Sequence, residues 1–191
     1  IYIYDDRNDS FSPFLSRKDS SGPFQDAVID KNGIIWIGTG KGLLRYDPGQ
    51  ARYIGLPDNL NEICRSLIFT RMTGERLIFL SNDDICLVYD TLDGSIRDLS
   101  ADLDGKTFRC AETDSAGNIW IGCEYGIYVY DRDWKVTAHF EQSPDNPNGL
   151  NNSPVYCIFR DKDENMWAGT YFGGANYFLS GSDQFRHWSA G

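Results

Sequence analysis

Residues 114–131 read DSAGNIWIGCEYGIYVYD, and the fold follows from the fact that the chain repeats this stretch. Asp30–Asp47, DKNGIIWIGTGKGLLRYD, aligns with it without a gap. Both give D-x-x-G-x-x-W-x-G, three residues to a further glycine, then an apolar run closing in Tyr-Asp. Asp161–Phe178, DKDENMWAGTYFGGANYF, is a third copy with Glu164 where the others have Gly33 and Gly117. Leu77–Asp90, LIFLSNDDICLVYD, is a worn fourth copy that puts Phe79 at the Trp position, with Thr70 for the Asp and roughly three residues inserted. The anchors Trp36, Phe79, Trp120 and Trp167 stand 43, 41 and 47 residues apart. A steady period in this range marks a repeat architecture and outranks any local motif.

Each repeat resolves into four short runs rich in β-branched and aromatic residues, and none carries helical apolar spacing. The first precedes the Asp: Phe24–Ile29, Cys64–Phe69, Phe108–Thr113 and Val155–Arg160. The second carries the anchor, the third runs into Tyr-Asp, and a fainter fourth ends the unit. Asp30, Asp114 and Asp161 start turns whose fourth residue suits glycine. Gly38, Gly122 and Gly169 follow the anchors, and Gly42, Gly126 and Gly173 are expected to open the third strands. The anchor strands, such as Ile34-Ile35-Trp36-Ile37, are apolar on both faces, so each sheet must lie between two others. That predicts an all-β chain, a β-propeller of four-stranded antiparallel blades. The opening IYIYD matches Ile127–Asp131, IYVYD, so the first residues should supply the third and fourth strands of a blade. The expected organisation is a half blade at 1–22 and blades at 23–57, 58–100, 101–141 and 142–191. That is a partial propeller of about four and a half blades, an open arc.

Composition bounds the function. The 191 residues carry a net charge of −10, which disfavours nucleic acid and anionic membranes as partners. The five cysteines form no C-x-x-C pair and sit in strand-like runs, as small buried hydrophobes do. Cys110 and Cys157 both stand ten residues before their Trp, so equivalent environments are expected. His139 and His187 also occupy near-equivalent repeat positions, which fits structure better than general-base chemistry. Asp161–Asn165 imitates the start of a calcium loop, but Met166 and Phe172 stand where that loop needs Gly and Glu. No metal and no cofactor is expected, and no nucleophile motif or phosphate loop is present.

The repeats resemble the two-component regulator propeller repeat, in GIIWIGTGKGLLRYD, GNIWIGCEYGIYVYD and NMWAGTYFGGANYF. GLNNSPVYCIFRD (149–161) is similar to that family's lead-in. The resemblance implies the periplasmic sensor region of a hybrid two-component system. The whole protein would then be a membrane-anchored sensor histidine kinase, joined to further blades and sensor domains of the same chain. Many such sensors respond to breakdown products of complex polysaccharides, so the resemblance implies an oligosaccharide ligand and a non-catalytic region here. A homo-oligomer is also expected.

Function should concentrate in the loops between second and third strands: Gly40-Lys41, Asn82–Asp84, Glu124-Tyr125 and Tyr171-Phe172. Tyr125, Tyr171 and Phe172 are large aromatics where a turn needs none. Sugar rings stack on such side chains, and Lys41, Glu124, Asn151 and Asn152 could meet the hydroxyls. The same aromatics could instead pack over a blade edge or meet another domain. Two other readings remain open: a polysaccharide-active propeller enzyme (a lyase or glycosidase), and a protein-interaction scaffold.

Overall fold

A computed structural model describes residues 2–14, 22–61, 69–73, 76–80, 85–101, 107–179, 182 and 184–188. The chain divides into two compact units, residues 1–70 and 71–191. Each sheet is an antiparallel meander in chain order, except for the two-stranded hairpin that begins the chain.

The first unit opens on the hairpin of β1 (Tyr2–Asp5) and β2 (Ser10–Pro13). The sheet of β3 (Phe24–Ile29), β4 (Ile35–Thr39), β5 (Gly42–Asp47) and β6 (Arg52–Ile54) follows. A single helical turn, α1 (Asp58–Asn61), seats the fully buried Leu60. Three more four-stranded sheets follow, all in the second unit but for Phe69 and Thr70. The first comprises β7 (Phe69–Thr73), β8 (Arg76–Leu80), β9 (Cys86–Asp90) and β10 (Ile96–Asp98). The next comprises β11 (Phe108–Thr113), β12 (Ile119–Cys123), β13 (Gly126–Tyr130) and β14 (Val136–Phe140). The last comprises β15 (Val155–Arg160), β16 (Met166–Thr170), β17 (Gly174–Phe178) and β18 (Phe185–Trp188).

The repeat signature is a hydrogen-bonding device. The indole N–H of Trp36 donates to Asp30 Oδ2 at 2.8 Å, Trp120 to Asp114 Oδ2 at 3.0 Å, and Trp167 to Asp161 Oδ2 at 2.8 Å. The other oxygen, Oδ1, caps backbone N–H groups of the turn, for instance those of Ile34, Asn118 and Asn165. One carboxylate thus closes the β-turn and satisfies the polar edge of a large ring, which a buried Trp requires. The fourth turn residue takes φ of 78° at Gly33, 83° at Gly117 and 66° at Glu164. Glu164 therefore occupies the left-handed region without the freedom of glycine. The Asp of Tyr-Asp caps the next turn: Asp47 accepts from the Gly49 and Gln50 amides, and Asp131 from those of Asp133 and Lys135.

The last two sheets share a core. Trp120 lies 5.5 Å from Phe140 and 5.2 Å from Phe178, centroid to centroid, and Phe185 meets both phenylalanines. Leu150, Val155, Ile158 and Met166 belong to the same cluster, as do Cys110, Ile127, Val129 and Ala168. β15 packs against β11 and β12, so the first strands of adjacent sheets converge. Gly122 makes this approach possible, because a Cβ there would stand 2.5 Å from Cys110 Sγ and 2.9 Å from Val155 Cγ1.

Several expectations are corrected. In the worn repeat the first strand is β7, starting at Phe69; residues 64–68 lie outside the described residues. Thr70 falls within that strand instead of the turn after it. Phe79 is not the Trp equivalent. Trp36, Trp120 and Trp167 pair with the residue just before the closing aromatic, and in the worn repeat that pair is Ile78 with Val88. Phe79 therefore points to the opposite face. The β8–β9 hairpin is one residue longer than the gapless alignment assumed. Gly174, with φ of 74°, opens β17, and Gly173 precedes it in the turn. Trp36 and Trp120 are buried, but Trp167 is half-exposed, stacked on Trp188 and tilted against Tyr177. Cys110 is buried beneath Val155, whereas Cys157 is exposed, because no described element covers its flank. Burial raises the Cys110 and Cys86 thiol pKa values far above the ordinary range.

Candidate functional site

The loops singled out in the sequence lie in different units. Lys41 sits exposed in the β4–β5 hairpin of the first unit, its backbone N–H donating to Thr39 Oγ1 at 3.2 Å. Glu124 and Tyr125 form the β12–β13 turn, and Tyr171 and Phe172 the β16–β17 turn, both in the second unit. Asn82–Asp84 lie outside the described residues.

In the second unit a continuous strip joins these two turns. Glu124 accepts a hydrogen bond from the Arg109 guanidinium. The guanidinium carbon lies 4.1 Å from the centroid of the Tyr156 ring. Tyr156 stacks on Tyr171 at 5.3 Å with planes 25° apart. Tyr171 meets Phe172 edge-on at 4.2 Å. Tyr156 is 44% exposed, Tyr171 58% and Phe172 83%, so the ring surface is open to solvent. Cation–π and stacking contacts of this kind hold the rings in place without burying them.

Backbone pairing positions the strip. The Glu124 amide donates to the Thr107 carbonyl at 3.3 Å and the Tyr171 amide to the Pro154 carbonyl at 3.0 Å. Each turn is thereby fastened to the start of the first strand of its own sheet. Arg109 and Tyr156 both lie where the pairing of that first strand with its neighbour shifts register.

The remaining candidates have other duties. The Asn151 amide bonds the Gly173 carbonyl, its Oδ1 accepts from Thr170 Oγ1 at 3.1 Å, and its backbone N–H donates to Asn176 Oδ1 at 3.0 Å. It locks the β16–β17 turn from beneath. Asn152 Oδ1 is buried and has no hydrogen-bond partner among the described residues. Tyr125 is exposed, and its carbonyl bonds His139 Nε2 at 2.9 Å while the imidazole stacks on Tyr128 at 4.0 Å. His139 and His187 pair with equivalent positions, Tyr128 and Asn176. The Asp161 carboxyl, lowered in pKa chiefly by the Trp167 indole N–H, is committed to its turn. Among the described residues no three His, Cys, Asp or Glu side chains cluster as metal ligands would.

Sequence reasoning missed Arg109 and Tyr156. A signal was available, because both stand eleven residues before their Trp, as Gln25 does before Trp36.

No curated protein matches the chain. The chain is similar to the extracellular domain assigned to a hybrid two component system of B. thetaiotaomicron, at 22% identity and a TM-score of 0.74. That likeness covers 93% of this chain and 24% of the other, so the chain spans about a quarter of that protein's length. It is also similar to a virginiamycin B lyase from Staphylococcus aureus, at 14% identity and a TM-score of 0.68, over 92% of this chain and 58% of the lyase. The WD40 beta propeller domain of Doa1 matches at 12% identity and a TM-score of 0.60, over 83% and 51%. These likenesses establish the propeller fold. Residues 149–172, the lead-in, the Trp167 strand and the aromatic turn, match the family described as two component regulator propeller. The chain is an all-β propeller segment that carries the two component regulator propeller repeat.

Proposed function

We propose that this chain is part of the extracytoplasmic, ligand-sensing propeller of a hybrid two-component receptor, and that it binds oligosaccharides on the Glu124–Arg109–Tyr156–Tyr171–Phe172 strip without transforming them. The observation that carries the reading is the strip itself. Open aromatic faces flanked by an ion pair suit a pyranose, whose apolar face stacks while its edge of hydroxyls needs charged donors and acceptors. Such a surface tolerates an overall acidic protein, because the bound group is neutral.

The repeats at 23–57, 58–100, 101–141 and 142–191, with a half repeat at 1–22, would join further blades and sensor domains of the same receptor, on the periplasmic side of the inner membrane. Self-association of the chain belongs to the same proposal. Signalling would require only that ligand bind two arrangements of the receptor unequally. Within the second unit Tyr125 and Asn152 are assigned supporting roles and Asn151 holds the turn that presents Tyr171, while Lys41 is assigned a supporting role in the β4–β5 hairpin of its own unit.

Titration calorimetry with neutral hexasaccharides (cello-, xylo-, manno- and malto-hexaose) tests the reading. At least one should bind, and Tyr171→Ala should weaken it by about tenfold with an unchanged unfolding midpoint. Binding by none of the four, or binding indifferent to Tyr171→Ala, refutes the site. The lyase of similar fold keeps an enzymatic reading in view. Chromatography of each sugar after incubation separates the two, since any new product that disappears in a loop variant would establish turnover.

A further inference from the structure

The same local irregularity recurs in three sheets. In β11, Phe108 pairs with Cys123 and Cys110 with Gly122, leaving Arg109 as the extra residue. In β15, Val155 pairs with Thr170 and Cys157 with Gly169, leaving Tyr156 extra. In β3 of the first unit, Phe24 pairs with Thr39 and Asp26 with Gly38, leaving Gln25 extra. Each is a β-bulge on the first strand, one residue into its pairing. A bulge places two residues opposite one and re-aims a side chain out of the regular alternation.

None of the bulged residues is buried, and they differ in chemistry. Gln25 and Tyr156 are exposed and Arg109 is half-buried. The residues that flank Arg109, Phe108 and Cys110, are buried as core residues are. At Arg109 a charged residue thus stands between two packing residues, and at Tyr156 an aromatic one follows the buried Val155. At Arg109 and Tyr156 that position abuts the turn proposed to hold sugar, through Glu124 in one sheet and Tyr171 in the next.

We infer that the bulge residue of the first strand is the specificity-determining position in the repeats at 101–141 and 142–191, and that Arg109 and Tyr156 together select which neutral oligosaccharide the strip accepts. Tyr156 supplies the stacking platform that Tyr171 extends. Arg109 caps that platform with its guanidinium face, and Glu124 orients it. A sugar ring on Tyr171, which Tyr156 backs, then presents its edge hydroxyls to the Arg109–Glu124 pair. The inference rests on the proposed glycan reading and adds to it which residues discriminate among sugars.

The experiment measures affinities of the 191-residue chain for the same four hexasaccharides in Arg109→Gln, Tyr156→Ala, Tyr171→Ala and the control Phe159→Ala. Phe159 is exposed on β15 but lies outside the bulge. Arg109→Gln installs the side chain that the first sheet carries at this position. Urea midpoints confirm that each variant is folded. We expect Tyr156→Ala to weaken the preferred sugar by about tenfold, Arg109→Gln to change the order of preference among the four, and Phe159→Ala to change neither. A loss of equal factor for every sugar in Arg109→Gln would assign Arg109 a merely structural role and overturn the inference. Unchanged affinities in Arg109→Gln and Tyr156→Ala, with loss in Tyr171→Ala, would overturn it while leaving the glycan reading in place. Binding of none of the four by the parent chain would remove both.

Discussion

Replacing the glycine two residues after the repeat Trp by alanine should have unequal consequences in two otherwise matched sheets. At Gly122 the new methyl would stand 2.5 Å from Cys110 Sγ, 2.9 Å from Val155 Cγ1 and 3.3 Å from Ile158 Cδ1. All three residues are buried, and two belong to the adjoining strand β15. The methyl can be admitted only if β15 moves away from β12 or Cys110 abandons its place over the Val155 carbonyl. Overpacking of this kind costs about 1–3 kcal/mol. Reduced freedom of the unfolded chain returns about 0.4–1 kcal/mol. A net loss of about 1–2 kcal/mol follows, a shift of roughly 1 M in the urea midpoint at a slope of ~1–3 kcal/mol/M. At Gly169 the methyl meets only Cys157 Sγ, at 2.6 Å. That thiol is exposed and can rotate aside, so Gly169→Ala should stay within about 0.5 kcal/mol of the parent. Cys110→Ala combined with Gly122→Ala should cost less than the sum of the two changes, since the nearest sulfur is gone. Urea unfolding followed by circular dichroism measures each of these variants against the parent. Equal losses at both glycines, or no loss at Gly122, would refute the claim that close approach of the next sheet sets the requirement for glycine.

Two further outcomes are expected. Glu164→Gly should stabilise the chain by about 0.5 kcal/mol, because relief of a left-handed non-glycine residue outweighs the added freedom of the unfolded chain. The lost contact with Arg160, 3.1 Å away on the surface, counts for little; a lower melting temperature in calorimetry would contradict this. The Asp161 carboxyl, held below its ordinary pKa chiefly by the Trp167 indole N–H, should titrate at lower pH in the folded protein than in a peptide. Because folding lowers this pKa, the contribution is complete above the unfolded-state value and is lost as pH falls through the folded one. Carboxyl carbon chemical shifts against pH measure it, and Trp167→Phe should move the titration upward; an unmoved midpoint would show that the indole is not the cause.

Much of this protein was legible in its residues. The period of Asp, Trp, Gly and Tyr-Asp determined four-stranded units, since turn chemistry is local and a strand apolar on both faces must be sandwiched. The same logic located the turns that carry Tyr171 and Glu124, and the Asp–Trp bond is prefigured by their constant spacing. Pairing and neighbours decided the rest. Ile78 instead of Phe79 takes the Trp place because hairpin length, which an alignment without gaps cannot register, sets which residues face each other. Cys157 differs from Cys110 only in what covers it. Arg109 and Tyr156 escaped notice because a bulge is a property of two strands together. It arises where the hydrogen bonds of one strand fall out of step with its partner, and no alternation along a single strand records that. The strip they form with Tyr171 exists only because β11 and β15, 47 residues apart at Arg109 and Tyr156, are brought side by side by the packing of one sheet on the next.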